Sequence, residues 1–175
     1  MSASRQLKVL LNREEIACGV ARLAKEISRD YQDRCPLLVG VLKGSFVFMA
    51  DLIRALEVPV EIDFVALSSY GSGTETTGRI KQVKRLSQPI KGKDVLVVED
   101  IVDTGLTVRF FMDLLLKKKP SSLKLCALFD KPSRRVTACD IDYVGFTIPD
   151  KFVVGYGLDC DQKYRHLPDL CVLEE

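Results

Sequence analysis

Two apolar rhythms alternate along this chain. Short consecutive apolar runs predict strands buried on both faces, and longer stretches with apolar residues every three or four positions predict the helices that cover them. Asn12 followed by Glu15 is a capping-box pattern, and Ile16, Val20, Leu23, Ala24, Ile27 and Tyr31 then share one helical stripe. Leu37 to Leu42 reads as a buried strand, Lys43-Gly44-Ser45 as a turn, and Phe46 to Leu56 as a helix. Val58 to Leu67 is β-rich, with Pro59 near its start. Val95 to Val98 predicts another strand, which ends in Glu99-Asp100 and a tight turn. Val108 to Leu116 is a helix, closed by Lys117-Lys118-Lys119-Pro120. Ser122 to Phe129 is the next strand, ahead of Asp130-Lys131-Pro132. Asp142 to Phe146 and Lys151 to Gly157 predict short strands, Asp159 to His166 a polar turn, and Leu170 to Leu173 a last strand.

Strands alternating with helices define an α/β chain with a twisted, mainly parallel sheet flanked by helices. With 175 residues and no internal repeat, residues 1–175 are expected to form a single domain. Ligands of such sheets bind outside the carboxyl ends of the strands. Lys43, the Glu99–Thr107 loop and Lys131 all fall there, so three separate loops bring complementary chemistry to one edge. Between Ser68 and Pro89 the pattern gives way to glycine, threonine and charge, as in a functional lid. The spacing of Ile80, Val83 and Leu86 allows a short hairpin inside it.

Charge refines this picture more than composition does. A net charge of +2 calls for no nucleic acid, but Gly71 to Lys93 holds six Lys or Arg against one Glu. That basic segment over a mildly acidic body fits an anionic ligand. Six cysteines without a C-x-x-C pair, and one histidine, argue against a zinc site. They read as reduced cysteines of a cytoplasmic protein, several of them in the core. His166 reads as a surface or structural residue. No leader pattern or membrane-spanning apolar segment is expected.

The stretch Val95 to Thr107 carries the most chemistry. A helix start offers unpaired N–H groups and partial positive charge, so it can hold a phosphate. Thr104 and Thr107 add hydroxyls, and Gly105 allows close backbone approach. Two carboxylates beside that cradle point to a phosphorylated, polyhydroxylated ligand with a metal.

Glu99-Asp100-Ile101-Val102-Asp103-Thr104-Gly105-Leu106-Thr107 resembles the phosphoribosyl-pyrophosphate motif of the type I phosphoribosyltransferases. Leu42-Lys43-Gly44-Ser45 is similar to that family's pyrophosphate loop, and Ser69-Tyr70 to the start of its catalytic lid. Lys131 and Lys151 to Asp159 resemble the purine-binding part of the hypoxanthine-guanine phosphoribosyltransferases, and Tyr164-Arg165 the segment that follows. The resemblance runs from about Leu7 to Leu173. It implies the type I phosphoribosyltransferase fold, with a mobile lid at about residues 68–89. A small hood is expected from the N-terminal segment and residues 150–175.

It also implies a reaction. A 6-oxopurine, hypoxanthine or guanine, takes the phosphoribosyl group from phosphoribosyl pyrophosphate with Mg²⁺, as in purine salvage. Such a leaving group needs cations, and its oxocarbenium-like sugar needs carboxylates and exclusion of water. Carried over by position, Glu99 and Asp100 hold the ribose hydroxyls, directly or through the metal, and Asp159 holds a second Mg²⁺ or its waters. Asp103 is the general base. Asp103, Thr104, Gly105, Leu106 and Thr107 cradle the 5′-phosphate. Lys43, Gly44 and Arg165 meet the pyrophosphate. Lys131 donates to the 6-oxo group, Phe152 stacks on the base and the Val153 backbone reads its edge. Ser69 and Tyr70 belong to the catalytic lid.

Leu106 stands where some relatives carry a polar or basic residue, a small change for a cradle built mainly of backbone. No N-terminal extension is expected to contribute, nor quaternary contacts made by one. A homodimer or homotetramer is expected from the resemblance. Two other classes remain in competition: a nucleotide-sensing regulator on the same fold, and a signalling receiver domain phosphorylated at its strand-end acids.

Overall fold

The computed structural model describes residues 6–69 and 80–174. Its first strand, β1 (Gln6–Leu11), was not legible in the apolar pattern and leads directly into the capped helix α1 (Arg13–Asp30). The Asn12 side chain accepts from Glu15 N at 2.9 Å, and the Glu15 carboxylate accepts from Asn12 N at 2.8 Å. Such a cap contributes about 1 kcal/mol. The predicted stripe is the buried one, with Ile16, Leu23 and Ile27 fully enclosed.

There follow β2 (Leu37–Leu42), α2 (Phe46–Ala55), β3 (Glu61–Ser69), β4 (Ile80–Lys84) and β5 (Asp94–Val102). The chain then continues through α3 (Leu106–Leu116), β6 (Ser122–Asp130), a 3₁₀ turn (Pro132–Arg134), β7 (Tyr143–Thr147), β8 (Val153–Val154) and β9 (Leu170–Glu174). Six strands form one sheet in the order β4-β3-β2-β5-β6-β7, parallel except for the β3–β4 pair. This is the mainly parallel sheet the sequence predicts. The segment expected as loop from Ser68 onward contributes ladder at both ends, because Ser69 pairs with Ile80 and β4 runs on to Lys84. Tyr70 lies outside the described residues. The Lys151–Gly157 strand is shorter than expected: only Val153 and Val154 are strand.

Strand alternation explains the layers. Leu38, Leu96, Val98, Cys126 and Leu128 face one side and pack under α1 and α2. Leu37, Val39, Val95, Val97, Leu125 and Ala127 face the other and pack against Val108, Phe111 and Leu115 of α3. Neighbouring β2 and β5 therefore lead into helices on opposite faces, and a crevice opens beyond their carboxyl ends at such a switch point. A second sheet, β1-β9-β8, is antiparallel, and its Val153, Leu170 and Val172 join the core on the α1/α2 side. Cys126 and Cys171 are buried, whereas Cys18 and Cys35 are exposed, so the core reading of the cysteines holds only for some. Among the described residues, no helix is long and apolar enough to cross a membrane.

Candidate active site

Three loops meet at the switch point. The Leu42–Lys43 peptide is cis. Behind it Gly44 passes so close to β5 that an added Cβ would lie 1.5 Å from Asp100 Oδ2. On its other side, a Cβ on Gly157 would lie 2.2 Å from the Gly44 carbonyl oxygen. The turn after β2 thus lies between the Asp100 carboxylate and the loop after β8, with no room for a side chain on Gly44 or Gly157.

Charged groups close this stack. Arg165 Nη1 donates to Gly157 O at 2.7 Å, and Nη2 lies 2.7 Å from Asp159 Oδ1. Asp159 Oδ2 accepts from Gln162 N at 2.8 Å, and Gln162 Oε1 accepts from Lys43 Nζ at 3.1 Å. Lys43, Gly44, Asp100, Gly157, Asp159, Gln162 and Arg165 are therefore one connected cluster. Both terminal nitrogens of Arg165 are engaged within the protein here. His166, next in the chain, is exposed.

Glu99 and Asp100 carry the strongest electrostatic load. Burial pushes the Glu99 carboxyl well above the ordinary range, and the neighbouring Asp100 adds to this. Burial likewise pushes Asp100 up to about 6; backbone N–H groups and Arg165 oppose the shift, and Asp159 adds to it. A nearby cation would relieve both acids. Among the described residues, no three His, Cys, Asp or Glu side chains form a ready cation cage. The two adjacent carboxylates are a donor pair that a hard divalent cation could share with waters and ligand phosphates.

The turn expected to cradle a phosphate follows β5. Gly105 is the N-cap of α3 at φ 82°, and a Cβ there would lie 2.6 Å from Thr137 O. Glycine is needed for both reasons. Thr104 O accepts from Val136 N at 3.0 Å and Thr137 N at 3.1 Å, so the segment after β6 braces the turn from outside. Thr104 Oγ1 receives a long 3.5 Å contact from Leu106 N, while Leu106 and Thr107 are exposed at the helix start.

Asp103 and Lys131 form the other half of the site. Lys131 follows β6, its N–H donating to Val102 O at 3.0 Å. The residue is only 6% exposed, and Nζ donates to Lys151 O at 2.6 Å. Burial lowers its pKa, against the pull of Asp103 and Asp150. Arg134 Nε lies 3.0 Å from Asp103 Oδ1 but is not aligned as a hydrogen bond, so that buried oxygen lacks a hydrogen-bond donor. Phe152 is 57% exposed and hence no core residue; Val153 has its side chain in the core and its backbone in β8. The Ser69 backbone ends β3.

Sequence reasoning passed over four neighbours. Arg135 Nη2 pairs with Asp130 and Nη1 donates to Asp103 O at 3.2 Å. Arg134 and Asp150 flank Asp103, and Gln162 holds Lys43. The paired arginines after Lys131 were a visible signal; nothing in the sequence marks Gln162.

The sequence profile of the phosphoribosyl transferase domain matches residues 6–161. The chain is 49% identical to a hypoxanthine phosphoribosyltransferase of Salmonella typhimurium over 93% of its own length and 92% of that protein's. It is 46% identical to a hypoxanthine-guanine phosphoribosyltransferase of Bacillus subtilis, over 95% and 93% of the two chains. A crystal structure of a hypoxanthine-guanine phosphoribosyltransferase from Bacillus anthracis superposes with TM-score 0.91 at 48% identity, covering 96% of this chain and 99% of that one. The fold is that of a phosphoribosyltransferase, and the chain belongs to the hypoxanthine-guanine branch of that family. A signalling receiver domain is thereby set aside.

Proposed function

We propose that the chain transfers the 5-phosphoribosyl group of phosphoribosyl pyrophosphate to hypoxanthine or guanine, a purine-salvage reaction. The bond from a purine ring nitrogen to the anomeric carbon forms as the bond from that carbon to pyrophosphate breaks, and the purine loses its N–H proton. The names of the relatives and the matched motifs support the class of reaction.

Lys131 carries the choice of base. Its buried ammonium has three N–H donors, of which Lys151 O accepts one. The remaining donors suit a 6-oxo acceptor. Adenine offers an amino donor at that position, and two donors facing each other reject it. Asp103 receives the purine proton, and the exposed Phe152 stacks on the ring.

The Asp103–Thr107 turn holds the 5′-phosphate, with backbone N–H groups at the start of α3 and two hydroxyls. Lys43, Gly44 and Arg165 meet the pyrophosphate, for which Arg165 turns from Asp159. Glu99 and Asp100 hold the ribose hydroxyls. Glu99, Asp100 and Asp159 would hold Mg²⁺ or its waters, and the metal would supply positive charge to the departing pyrophosphate. The lid at residues 68–89, with Ser69 and Tyr70, excludes water. Residues 1–175 act as one domain, with β1, β8 and β9 as its hood. A cytoplasmic location fits the burial of Cys126 and Cys171 as small apolar core residues. The family likeness supports a homodimer or homotetramer.

A four-base assay with the purified protein, phosphoribosyl pyrophosphate and Mg²⁺ tests this reading. Hypoxanthine or guanine is converted to its monophosphate and adenine is inert. Activity confined to adenine, or to no purine, overturns it.

A further inference from the structure

Arg134 stands in none of the roles above, yet it touches both halves of the base site. It ends the 3₁₀ turn Pro132–Arg134, directly after Lys131. One face of its guanidinium meets Asp103 through Nε at 3.0 Å, and Nη1 lies 3.6 Å from Asp150 Oδ1. Asp150 immediately precedes Lys151, whose carbonyl holds Lys131 Nζ, and Phe152 comes next. A ring of contacts results. It runs from Asp103 through Arg134 to Asp150, along the chain to Lys151 O, across to Lys131 Nζ, and back by the Lys131 N–H to Val102 O. The proton acceptor and the 6-oxo donor are members of the same ring.

The alternative is a solvated surface charge, since the Arg134 side chain is 49% exposed and exposed ion pairs contribute little to stability. Geometry argues for more. Asp103 has 40% of its side chain exposed, but its Oδ1 is buried against Arg134. The accessible edge of the carboxyl is therefore the Oδ2 side. The backbone under Arg134 is also fixed: Arg134 N donates to Lys131 O at 3.2 Å, and Arg135 N to Pro132 O at 3.1 Å. Arg135 and Thr137 brace Asp103 and Thr104 from behind. A planar fork on such a base sets the direction of a carboxylate even where it adds little stability.

Resting on the purine-transfer reading, we infer that Arg134 is a positioning residue for the base. It turns the Asp103 carboxyl so that Oδ2 faces the purine nitrogen, and through Asp150 it ties that orientation to the loop carrying Lys151 and Phe152. Arrival of the base on Phe152 is in this way coupled to the alignment of its proton acceptor.

The test uses the full chain, with hypoxanthine, phosphoribosyl pyrophosphate and Mg²⁺, and compares Arg134→Gln, Arg134→Lys, Asp150→Asn, Asp103→Asn and the Asp103→Asn/Arg134→Gln double variant. Misalignment of a reacting group by about 1 Å costs on the order of 100-fold. Arg134→Gln is expected to lower kcat about 10- to 100-fold. The KM for phosphoribosyl pyrophosphate and the thermal midpoint stay near wild type. Arg134→Lys recovers part of the loss, Asp150→Asn shows a smaller loss in the same parameter, and the double variant is no slower than Asp103→Asn alone. Wild-type kcat in Arg134→Gln, or full additivity in the double variant, overturns the inference. So does a loss that Arg134→Lys shares in full together with a lowered thermal midpoint, which marks a merely structural residue. If Asp103→Asn itself keeps wild-type turnover, the proton-acceptor assignment falls and Arg134 falls with it. A slow Asp103→Asn beside a fast Arg134→Gln sinks Arg134 alone.

Discussion

The Asp100 carboxylate occupies the space that a side chain on Gly44 needs: an ideal Cβ there lies 1.5 Å from Oδ2. The glycine after Lys43 is thus tied to a carboxylate more than fifty residues away. Something must shift if a side chain is added to Gly44, and Gly157 packs on its carbonyl oxygen from the other side. Gly44→Ala is expected to displace Asp100 or the Lys43 turn and lower kcat/KM on the order of 100-fold, with the far-UV spectrum unchanged. Steady-state kinetics with phosphoribosyl pyrophosphate as the varied substrate measure this. Wild-type kinetics in Gly44→Ala would show that the contact has no bearing on the site.

On the proposed reading, Lys131 and Phe152 divide base recognition between polarity and area. Lys131→Met removes the ammonium at similar length. A hydrogen bond to a charged group is worth about 1.5–3 kcal/mol, so kcat/KM for hypoxanthine falls by roughly 10- to 150-fold. The ratio of hypoxanthine to adenine activity narrows, since the donor that repels adenine is gone. Phe152→Ala instead raises KM for every purine alike, by the roughly 1–3 kcal/mol of a base–aromatic stack. A Lys131→Met variant that keeps the wild-type base ratio refutes the first half; a base-selective effect of Phe152→Ala refutes the second.

Arg135 supports the Asp103–Thr107 turn from beneath. Its pair with Asp130 is mostly buried, at 17% and 14% side-chain exposure, and it also donates to Asp103 O. Removing one member of a buried pair leaves the other charge unpaired and costs about 3–5 kcal/mol. Arg135→Ala is therefore expected to lower the urea midpoint strongly and to raise KM for phosphoribosyl pyrophosphate. Asp130→Asn/Arg135→Met, which removes both charges, recovers much of the stability but not the KM. Equal stability of the single and double variants would show that no unpaired charge is left behind.

Much of this site lay open in the sequence because its parts are local. A strand, two acids, a tight turn and a helix occupy Val95 to Leu116 with no long-range information, and the same holds for Asn12 capping α1. What stayed hidden depends on tertiary closure. β1 has mostly exposed positions and becomes a strand only by pairing with β9 at the far end of the chain. β4 extends β3 because antiparallel pairing across the glycine-rich segment outweighs its weak apolar pattern. Gln162, with φ at 63°, meets Lys43 only because Gly157 packs on Gly44. Residues proposed to act on ligand were named from type and spacing; residues that act on other residues, such as Arg134 and Gln162, needed the fold.

Asp63 shows how the β3–β4 arm is anchored, and it gives the arm a pH signature. Its carboxyl is 6% exposed and accepts from Phe64 N at 2.7 Å, Ser87 N at 2.6 Å, Ser87 Oγ at 3.1 Å and Lys84 Nζ at 3.3 Å. Burial alone raises its pKa, but the four donors outweigh burial and hold it below the ordinary value. In the unfolded chain an Asp titrates near about 3.9. The folded protein therefore binds fewer protons at Asp63 than the unfolded chain does around and below that pH, so this contribution grows as pH rises through the window. It is complete above about pH 4 and is lost as pH falls through the lower folded value. Asp63→Asn keeps the shape and removes the charge. At pH 7 it should cost about 2 kcal/mol, the scale of hydrogen bonds to an ionised group. The gap between wild type and Asp63→Asn closes in acid, where the wild-type carboxyl is also neutral. Urea unfolding of both proteins from pH 7 down to the lowest pH at which each folds measures this. A gap independent of pH would mean that Asp63 acts by packing alone and that the four donors do not stabilise its charge.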